Sequence, residues 1–238
     1  MTYLDAASQV GDWLLSRAER SDDGWCWPVQ PGVSPEVDPG LGWGTAAPTL
    51  FFVEAYRSTG EDRWLAAAQH GRQWMSAQLS KVIDSPQGCG LMTGVGGWAV
   101  ILDELAEAAD DDESRSLART VLEGMASRVT PTRTGAHWHD LTEVLWGTAG
   151  IGCIMLNQGL KYLGHPAVEL AVRAGDWLLG EAEPAPPGIR WSLGQAYAAT
   201  ATDPSRRFPN FAHGAAGIGF FLARLAQVTG DRRFLDAS

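Results

Sequence analysis

His213 is the residue whose type and position are best suited to chemistry. It stands in the segment 211–218, FAHGAAGI, directly before a small-residue turn that opens an apolar helical pattern. An imidazole at a helix N-terminus is favoured in its neutral form, which suits a general base or a metal ligand near neutral pH. The same position is also compatible with a simpler role, in which the histidine caps the helix by bonding a backbone amide.

Glu143 is the carboxylate that precedes an earlier turn of the same kind. It lies four positions before Gly147, with which that turn begins. A carboxylate there could orient a histidine or protonate a leaving group, or it could only favour the positive end of the following helix. Asp140 lies nearby and competes for these roles. We predict that His213 and Glu143 are the catalytic residues.

The segment 137–140, His-Trp-His-Asp, raises the question of a metal site. A zinc site needs three or four convergent ligands, and neither a CxxC nor an HExxH motif accompanies this one. Because the surrounding residues are rich in Thr, Gly and Pro, solvated loop histidines are predicted instead. Cys26, Cys89 and Cys153 are scattered along the chain, and inert thiols rather than metal ligands are expected.

The composition restricts the classes of function. The chain has 238 residues with 18 basic and 28 acidic side chains and no long Lys/Arg run, so a nucleic-acid partner is not expected. No apolar run approaches the roughly 18 residues of a membrane span, and the N-terminus lacks the pattern of a secretory signal. The three cysteines have no CxxC spacing, which argues against a disulfide framework. These features favour a cytoplasmic protein with reduced thiols.

An internal repeat organises the elements that must position these residues. The sequence GDWLL occurs at 11–15 and again at 175–179. A small-residue turn that opens a helix recurs at 44–47, 94–97, 147–150 and 214–217. Strand patterns are nearly absent, so the repeating unit is a helix, a loop, the turn and a second helix. Such pairs stack into an open solenoid or a closed ring, and turns that let helix N-termini crowd together favour an all-α, α/α toroid.

Two segments carry a resemblance to a known family. FAHGAAGIG at 211–219 and LWGTAGIG at 145–152, together with the earlier turns, resemble the lanthionine synthetase C-like (LanC) family. The resemblance extends over essentially the whole chain and covers the first four of the family's seven repeats. It implies an α/α toroid that acts on a ribosomally made precursor peptide, with a dehydratase as a further partner. The implied reaction adds a Cys thiol to dehydroalanine or dehydrobutyrine and forms a thioether ring.

The resemblance also implies roles for residues and for a metal. His213 matches the family's active-site histidine, and Glu143 stands where many bacterial members have an aspartate. In the family a zinc ion holds the substrate thiol as thiolate, because coordination deprotonates a group whose pKa is otherwise about 8.5. The zinc ligands belong to a Trp-Cys-Tyr-Gly-like motif and a Cys-His pair in later repeats, and neither occurs in this sequence. Zinc is therefore expected in the full-length domain, with its ligands beyond residue 238.

We predict that residues 1–238 form a single LanC-like α/α toroid domain, the N-terminal portion of a cyclase truncated at its C-terminus. The protein is predicted to be an enzyme only if the full-length chain carries the zinc ligands. In an incomplete ring the last inner helix lacks a neighbour, so Phe220, Phe221 and Leu225 are expected to be partly exposed.

Two alternatives remain at the level of the sequence. The first keeps the fold without catalysis, as a scaffold that binds a peptide or a thiol. The second is a carbohydrate-active α/α toroid, such as a glycoside hydrolase or a sugar epimerase. Its support is the presence of 11 tryptophans, which stack on sugars, and of the Glu143 and Asp140 carboxylates.

Overall fold

The computed structural model describes residues 2–194 and 207–238, and within these ranges the chain is built mainly from helices. Their bounds are α1 Tyr3–Arg17, α2 Ala46–Thr59, α3 Asp62–Ile83, α4 Val95–Ala109, α5 Asp112–Ala126, α6 Thr148–Ile154, α7 Leu160–Leu163, α8 His165–Gly180, α9 Ala215–Thr229 and α10 Arg232–Asp236. A π-helical turn, Met155–Gly159, joins α6 to α7. In the described ranges no helix is both long and apolar enough to cross a membrane.

The strands of the described residues are confined to short antiparallel hairpins. They are β1 Glu19–Ser21 with β2 Gly24–Cys26, β3 Thr130–Pro131 with β4 Ala136–His137, and β5 Glu183–Ala185 with β6 Gly188–Arg190. The registers place Arg20 opposite Trp25, Thr130 opposite His137 and Pro184 opposite Ile189. We call the helix that precedes the loop of each repeat its outer helix. Each hairpin directly follows an outer helix, so the strands lie in the loops of the repeats.

The chain divides into two compact units. The first contains Met1–Gly88 and Met92–Val121, and the second contains Cys89–Leu91 and Leu122–Ser238. The core of the first unit is built around Phe52, whose ring stacks on Trp64 with a centroid distance of 5.7 Å. Burial of one such large apolar side chain stabilises a protein by about 1.5–3 kcal/mol.

The helices that follow the small-residue turns, here called inner helices, begin in the same way in all four repeats. The N–H group of the residue after the first turn position donates to a carbonyl seven positions earlier. The bonds are Thr45–Asp38 at 2.9 Å, Val95–Gly88 at 2.7 Å, Thr148–Leu141 at 2.8 Å and Ala215–Phe208 at 3.0 Å. These bonds satisfy N–H groups that a helix start otherwise leaves without a partner. The predicted starts of the four inner helices are confirmed.

The repeated GDWLL segment marks a close contact between consecutive outer helices. A Cβ on Gly11 would stand 2.6 Å from the ring of Trp64, and one on Gly175 would stand 2.8 Å from the ring of Phe234. The aspartate that follows each glycine forms an ion pair with the next outer helix; the pairs are Asp12–Arg63 and Asp176–Arg233. The identical letters therefore reflect the same packing requirement in two repeats.

Three tryptophans tie the hairpins to the helices before them. Each is buried, and its indole N–H donates to a helix carbonyl 13 positions earlier. The bonds are Trp27–Leu14 at 2.9 Å, Trp138–Met125 at 2.7 Å and Trp191–Leu178 at 2.7 Å. Part of the tryptophan content is thus structural, which weakens its value as a sign of sugar stacking.

The last inner helix, α9, is covered more completely than the sequence predicts. Phe220 is 48% exposed as expected, whereas Phe221 and Leu225 are fully buried, so that part of the prediction is wrong. Phe221 packs where Gly152 offers no side chain, and Leu225 packs against Gly175 of α8. Two glycines on neighbouring helices thus supply the space that the sequence pattern does not reveal.

Candidate active site

His213 is held in place by the turn that starts α9. The Phe208 carbonyl that accepts the Ala215 N–H passes so close that a Cβ on Gly214 would stand 1.7 Å from its oxygen. The N–H of His213 itself donates to Asn210 Oδ1 at 2.8 Å. The backbone of His213 is therefore fixed before its side chain makes any contact, and glycine is required at the position that follows.

Glu143 is a buried carboxylate that its own loop surrounds. The side chain has no exposed area. Its Oε2 accepts from the Leu145 N–H at 3.0 Å, and its Oε1 accepts from the N–H groups of Trp146 at 2.6 Å and Gly147 at 2.8 Å. Hydrogen bonds to an ionised acceptor are stronger than neutral ones, and they offset the desolvation of a buried charge. The backbone N–H groups of segment 143–147 thus replace the water that the buried carboxylate of Glu143 cannot reach.

The structure brings the two predicted residues together. His213 Nδ1 lies 3.1 Å from Glu143 Oε2. The two turns are also joined through the backbone, since the Val144 N–H donates to Ala212 O at 3.3 Å. The imidazole is 29% exposed while the carboxylate is fully buried. The pair therefore has one end enclosed by protein and one end accessible to a bound molecule.

Aromatic rings border the imidazole. The ring centroid of Trp146 lies 5.1 Å from that of His213, and the ring centroid of Phe208 lies 6.1 Å away. These rings limit rotation of the imidazole and reduce the dielectric around its contact with Glu143, which strengthens the hydrogen bond.

The contact between His213 and Glu143 gives the two imidazole nitrogens different hydrogen-bonding roles. An ionised carboxylate has only acceptor atoms, so Nδ1 of His213 carries the hydrogen in the bond to Glu143. Nε2 is then the nitrogen that carries no hydrogen in the neutral ring. It acts as an acceptor in the neutral ring and as a donor in the imidazolium. A carboxylate-oriented imidazole of this kind is suited to general acid–base catalysis.

Asn210 is a site residue that the sequence did not predict. It stands four positions before Gly214, as Glu143 stands four positions before Gly147. Each of the two side chains accepts the backbone N–H three residues later. A polar residue at this position of the repeat was the available signal, because the first two repeats have glycine there.

The segment 137–140 is not the solvated loop that the sequence predicts. The ring of His137 packs on Trp177 of α8 with a centroid distance of 4.9 Å. Burial, reinforced by His137, lowers the pKa of His139 to about 4, so this imidazole is neutral near pH 7. Neither His137 Nδ1 nor His139 Nε2 has a hydrogen-bond partner within the described residues. The prediction is wrong because strand β4 packs against α8.

Fold and site together define a class of protein: a helical repeat in which one turn presents a carboxylate-oriented histidine. The family model for lanthionine synthetase C-like protein matches residues 35–238. The chain therefore belongs to the lanthionine synthetase C-like family.

The comparison with solved structures supports the fold. Nisin cyclase is similar with a TM-score of 0.64 at 13% sequence identity, over 84% of this chain. The match covers 56% of the nisin cyclase chain, so the present chain spans little more than half of that protein. At this identity the likeness establishes the fold alone, and it confirms the all-α, α/α-toroid prediction. No curated protein matches the chain in sequence.

The described residues do not fit the zinc ion that the resemblance implies. In the ranges 2–194 and 207–238, no group of three or more His, Cys, Asp or Glu side chains is arranged to hold a metal. Burial raises the pKa of the Cys89 and Cys153 thiols to about 12, and it also raises the pKa of Cys26. Zinc binds cysteine as thiolate, which these environments disfavour.

Proposed function

We propose that the protein is a peptide cyclase that adds a Cys thiol of a precursor peptide to dehydroalanine or dehydrobutyrine, with His213 as the group that moves the proton. The observation that carries the proposal is the contact between the partly exposed imidazole and the buried Glu143 carboxylate. Membership of the family supplies the substrate class. The dehydroamino acid must come from an enzyme that removes water from Ser or Thr, so a dehydratase is the proposed partner.

The reaction balances with His213 as the only proton carrier. Nε2 takes the proton as the S–H bond breaks, and the sulfur forms a bond to Cβ of the dehydroamino acid. The electron pair of the C=C bond moves towards Cα and the neighbouring carbonyl, which gives an enolate. The imidazolium then returns the proton to Cα and becomes neutral again. No atom leaves, so substrate and product have the same mass.

Glu143 acts through His213 rather than on the peptide. Its carboxylate is buried and engaged with three backbone N–H groups as well as with Nδ1. The negative charge stabilises the imidazolium while the proton is in transit and keeps Nε2 directed outward. Glu143 is therefore proposed as a positioning residue and His213 as the catalytic one.

A zinc ion, which the family resemblance implies, would lower the pKa of the substrate thiol and so ease the transfer of its proton to His213. We propose that its ligands lie outside the described residues. A thiol substrate also requires a compartment that keeps cysteines reduced, which makes the cytoplasm the proposed location. Metal analysis of the full-length protein tests this part, since stoichiometric zinc supports a cyclase and its absence supports a scaffold.

The test of the proposed reaction uses a synthetic peptide with one dehydroalanine and one cysteine several residues after it. Ring closure removes the thiol, so the closed product resists N-ethylmaleimide and is counted by mass spectrometry against a protein-free control. We expect His213→Asn to lower the rate by about 10²–10⁴-fold. His165→Asn, which changes an exposed histidine on α8, is the matched control and is expected to have no effect.

Two results would contradict the proposal in different ways. If His213→Asn closes the ring as fast as the wild type, His213 is not the proton carrier. If the wild type binds a fluorescent form of the peptide without accelerating closure, the scaffold alternative is correct. The carbohydrate alternative gains no support from the site, because a glycosidase needs two carboxyl groups that reach the scissile bond, whereas Glu143 is fully enclosed.

A further inference from the structure

Trp146 is the residue of the site with an unsatisfied polar atom. Its indole Nε1 is buried and has no hydrogen-bond partner within the described residues. The indoles of Trp27, Trp138 and Trp191, by contrast, each donate to a helix carbonyl. A buried N–H without an acceptor costs free energy of folding, so it calls for a functional explanation when it lies beside a reactive group.

Trp146 contacts both members of the His213–Glu143 pair. Its backbone N–H donates to Glu143 Oε1 at 2.6 Å. Its ring lies beside His213 with a centroid distance of 5.1 Å and an interplanar angle of 42°. Both the residue and the imidazole are partly exposed, although the indole nitrogen itself is covered, so a substrate carbonyl reaches it only when the covering groups move aside. The unpaired donor therefore belongs to a rigid residue next to the group that delivers the proton.

The proposed reaction needs such a donor close to the imidazole. When sulfur adds to Cβ, negative charge accumulates on the carbonyl oxygen attached to Cα. The bond lengths of Cα–C and C=O place that oxygen about 2.4 Å from the carbon that His213 protonates. A group that stabilises the oxygen must therefore stand beside the group that protonates the carbon. Preorganised donors directed at developing charge are among the strongest contributions to catalysis.

We propose that the indole N–H of Trp146 binds the carbonyl oxygen of the dehydroamino acid and stabilises the enolate that forms on it. This inference rests on the proposed function. The acceptor gives the buried N–H a partner that none of the described residues provides. The same bond orients the dehydroamino acid so that Cα faces Nε2 of His213.

The first test measures binding without turnover. The probe is the dehydroalanine peptide with its cysteine replaced by alanine, which cannot cyclise, titrated into protein labelled with ¹⁵N at its indole nitrogens. Trp146→Phe identifies the Trp146 signal by its loss. We expect this signal to move downfield and to saturate, while the signal of Trp191, whose N–H is already bonded, stays in place. A Trp146 resonance that does not move overturns the proposal.

The second test measures the turnover and the stability of the Trp146→Phe variant. Trp146→Phe keeps an aromatic ring against His213 and removes the N–H. We expect kcat to fall by about 10²-fold with little change in KM, and the urea midpoint to stay equal or rise. Trp191→Phe is the matched control. We expect it to lower the urea midpoint, because it removes an N–H that is bonded to the Leu178 carbonyl, and to leave kcat unchanged. A Trp146→Phe variant with wild-type kcat contradicts the proposal.

The two tests also separate failure of the inference from failure of the proposed function. If the wild type does not close the ring of the cysteine peptide, the proposed function fails, and the indole titration alone decides whether Trp146 binds the carbonyl. If the wild type is active and the Trp146 signal does not respond, the cyclase proposal stands and the inference falls.

Discussion

Two histidine–carboxylate contacts of nearly equal length lie in the second unit, in opposite surroundings. His213 Nδ1 is 3.1 Å from Glu143 Oε2, and His165 Nδ1 is 3.2 Å from Glu169 Oε1. In the first contact the carboxylate has no exposed area. In the second the histidine and glutamate side chains are 80% and 67% exposed. The distance alone does not distinguish a site from a surface pair.

The difference lies in what holds each carboxylate. Glu169 is one helical turn from His165 on α8, so the periodicity of the helix brings them together and water screens their interaction. Glu143 and His213 are 70 residues apart in sequence, and backbone N–H groups fix the carboxylate before the imidazole reaches it. The Glu143–His213 interaction is stronger than the exposed one because backbone N–H groups, rather than water, surround the carboxylate.

The largest expected effect concerns stability. Glu143→Leu removes the acceptor of three backbone N–H groups and should lower the free energy of unfolding by about 3–5 kcal/mol, because these donors remain buried without partners. Glu169→Leu on the exposed pair should change it by less than about 0.5 kcal/mol. Urea unfolding measures both. Equal effects of the two substitutions would show that the buried contact has no special energetic role.

The next effect concerns the pH dependence of stability that the burial of His139 produces. Burial lowers the pKa of His139 from 6.5 to about 4. The unfolded chain therefore binds a proton at this residue below about pH 6.5, while the native protein binds it only below about pH 4. Stability should fall by about 2–3 kcal/mol as the pH drops through this window, with the stabilising contribution complete above it.

The measurement is urea unfolding as a function of pH for the wild type and for His139→Gln, since other groups also titrate in this range. The variant should lose part of the acid dependence between pH 6.5 and pH 4. Parallel profiles for the two proteins would mean that His139 is protonated equally easily in the native and unfolded states.

A smaller effect is expected from shortening the carboxylate. Glu143→Asp removes one methylene, so the side chain can bond the loop N–H groups or His213 but not both. We expect a loss of about 1–2 kcal/mol in stability, corresponding to one charge-assisted hydrogen bond, and a cyclisation rate about tenfold lower. Glu169→Asp is the control. Full activity of Glu143→Asp would indicate that the loop adjusts to the shorter side chain.

The smallest effect is a change in tautomer. At about pH 8, the ¹⁵N shifts of His213 should show hydrogen at Nδ1, because Glu143 accepts there, whereas Glu143→Gln should raise the Nε2–H population several-fold. His165 should respond little to Glu169→Gln, since water competes for both nitrogens. A His213 tautomer that is indifferent to Glu143 would remove the basis for its assigned orientation.

The sequence identified His213 and Glu143 as candidate residues because their positions depend on local structure. Gly214 is required where the Phe208 carbonyl passes close to the backbone, and this requirement is visible as a motif that places His213 before an inner helix. The burial of His139 depends on packing of β4 against α8, which no short motif encodes. The unpaired indole N–H of Trp146 was equally invisible, because a missing partner is a property of the folded environment.

The sequence by itself determined where the inner helices begin, which residues precede them and which family the motifs resemble. These features follow from glycine at close backbone contacts and from apolar spacing, both of which are local. Only the tertiary structure decided that His213 and Glu143 meet, through the Val144–Ala212 backbone bond and through Gly217, where a Cβ would stand 2.6 Å from Val144. It also decided that one histidine–carboxylate pair is enclosed and the other solvated. The physical reason is that burial depends on residues distant in sequence, which packing brings together.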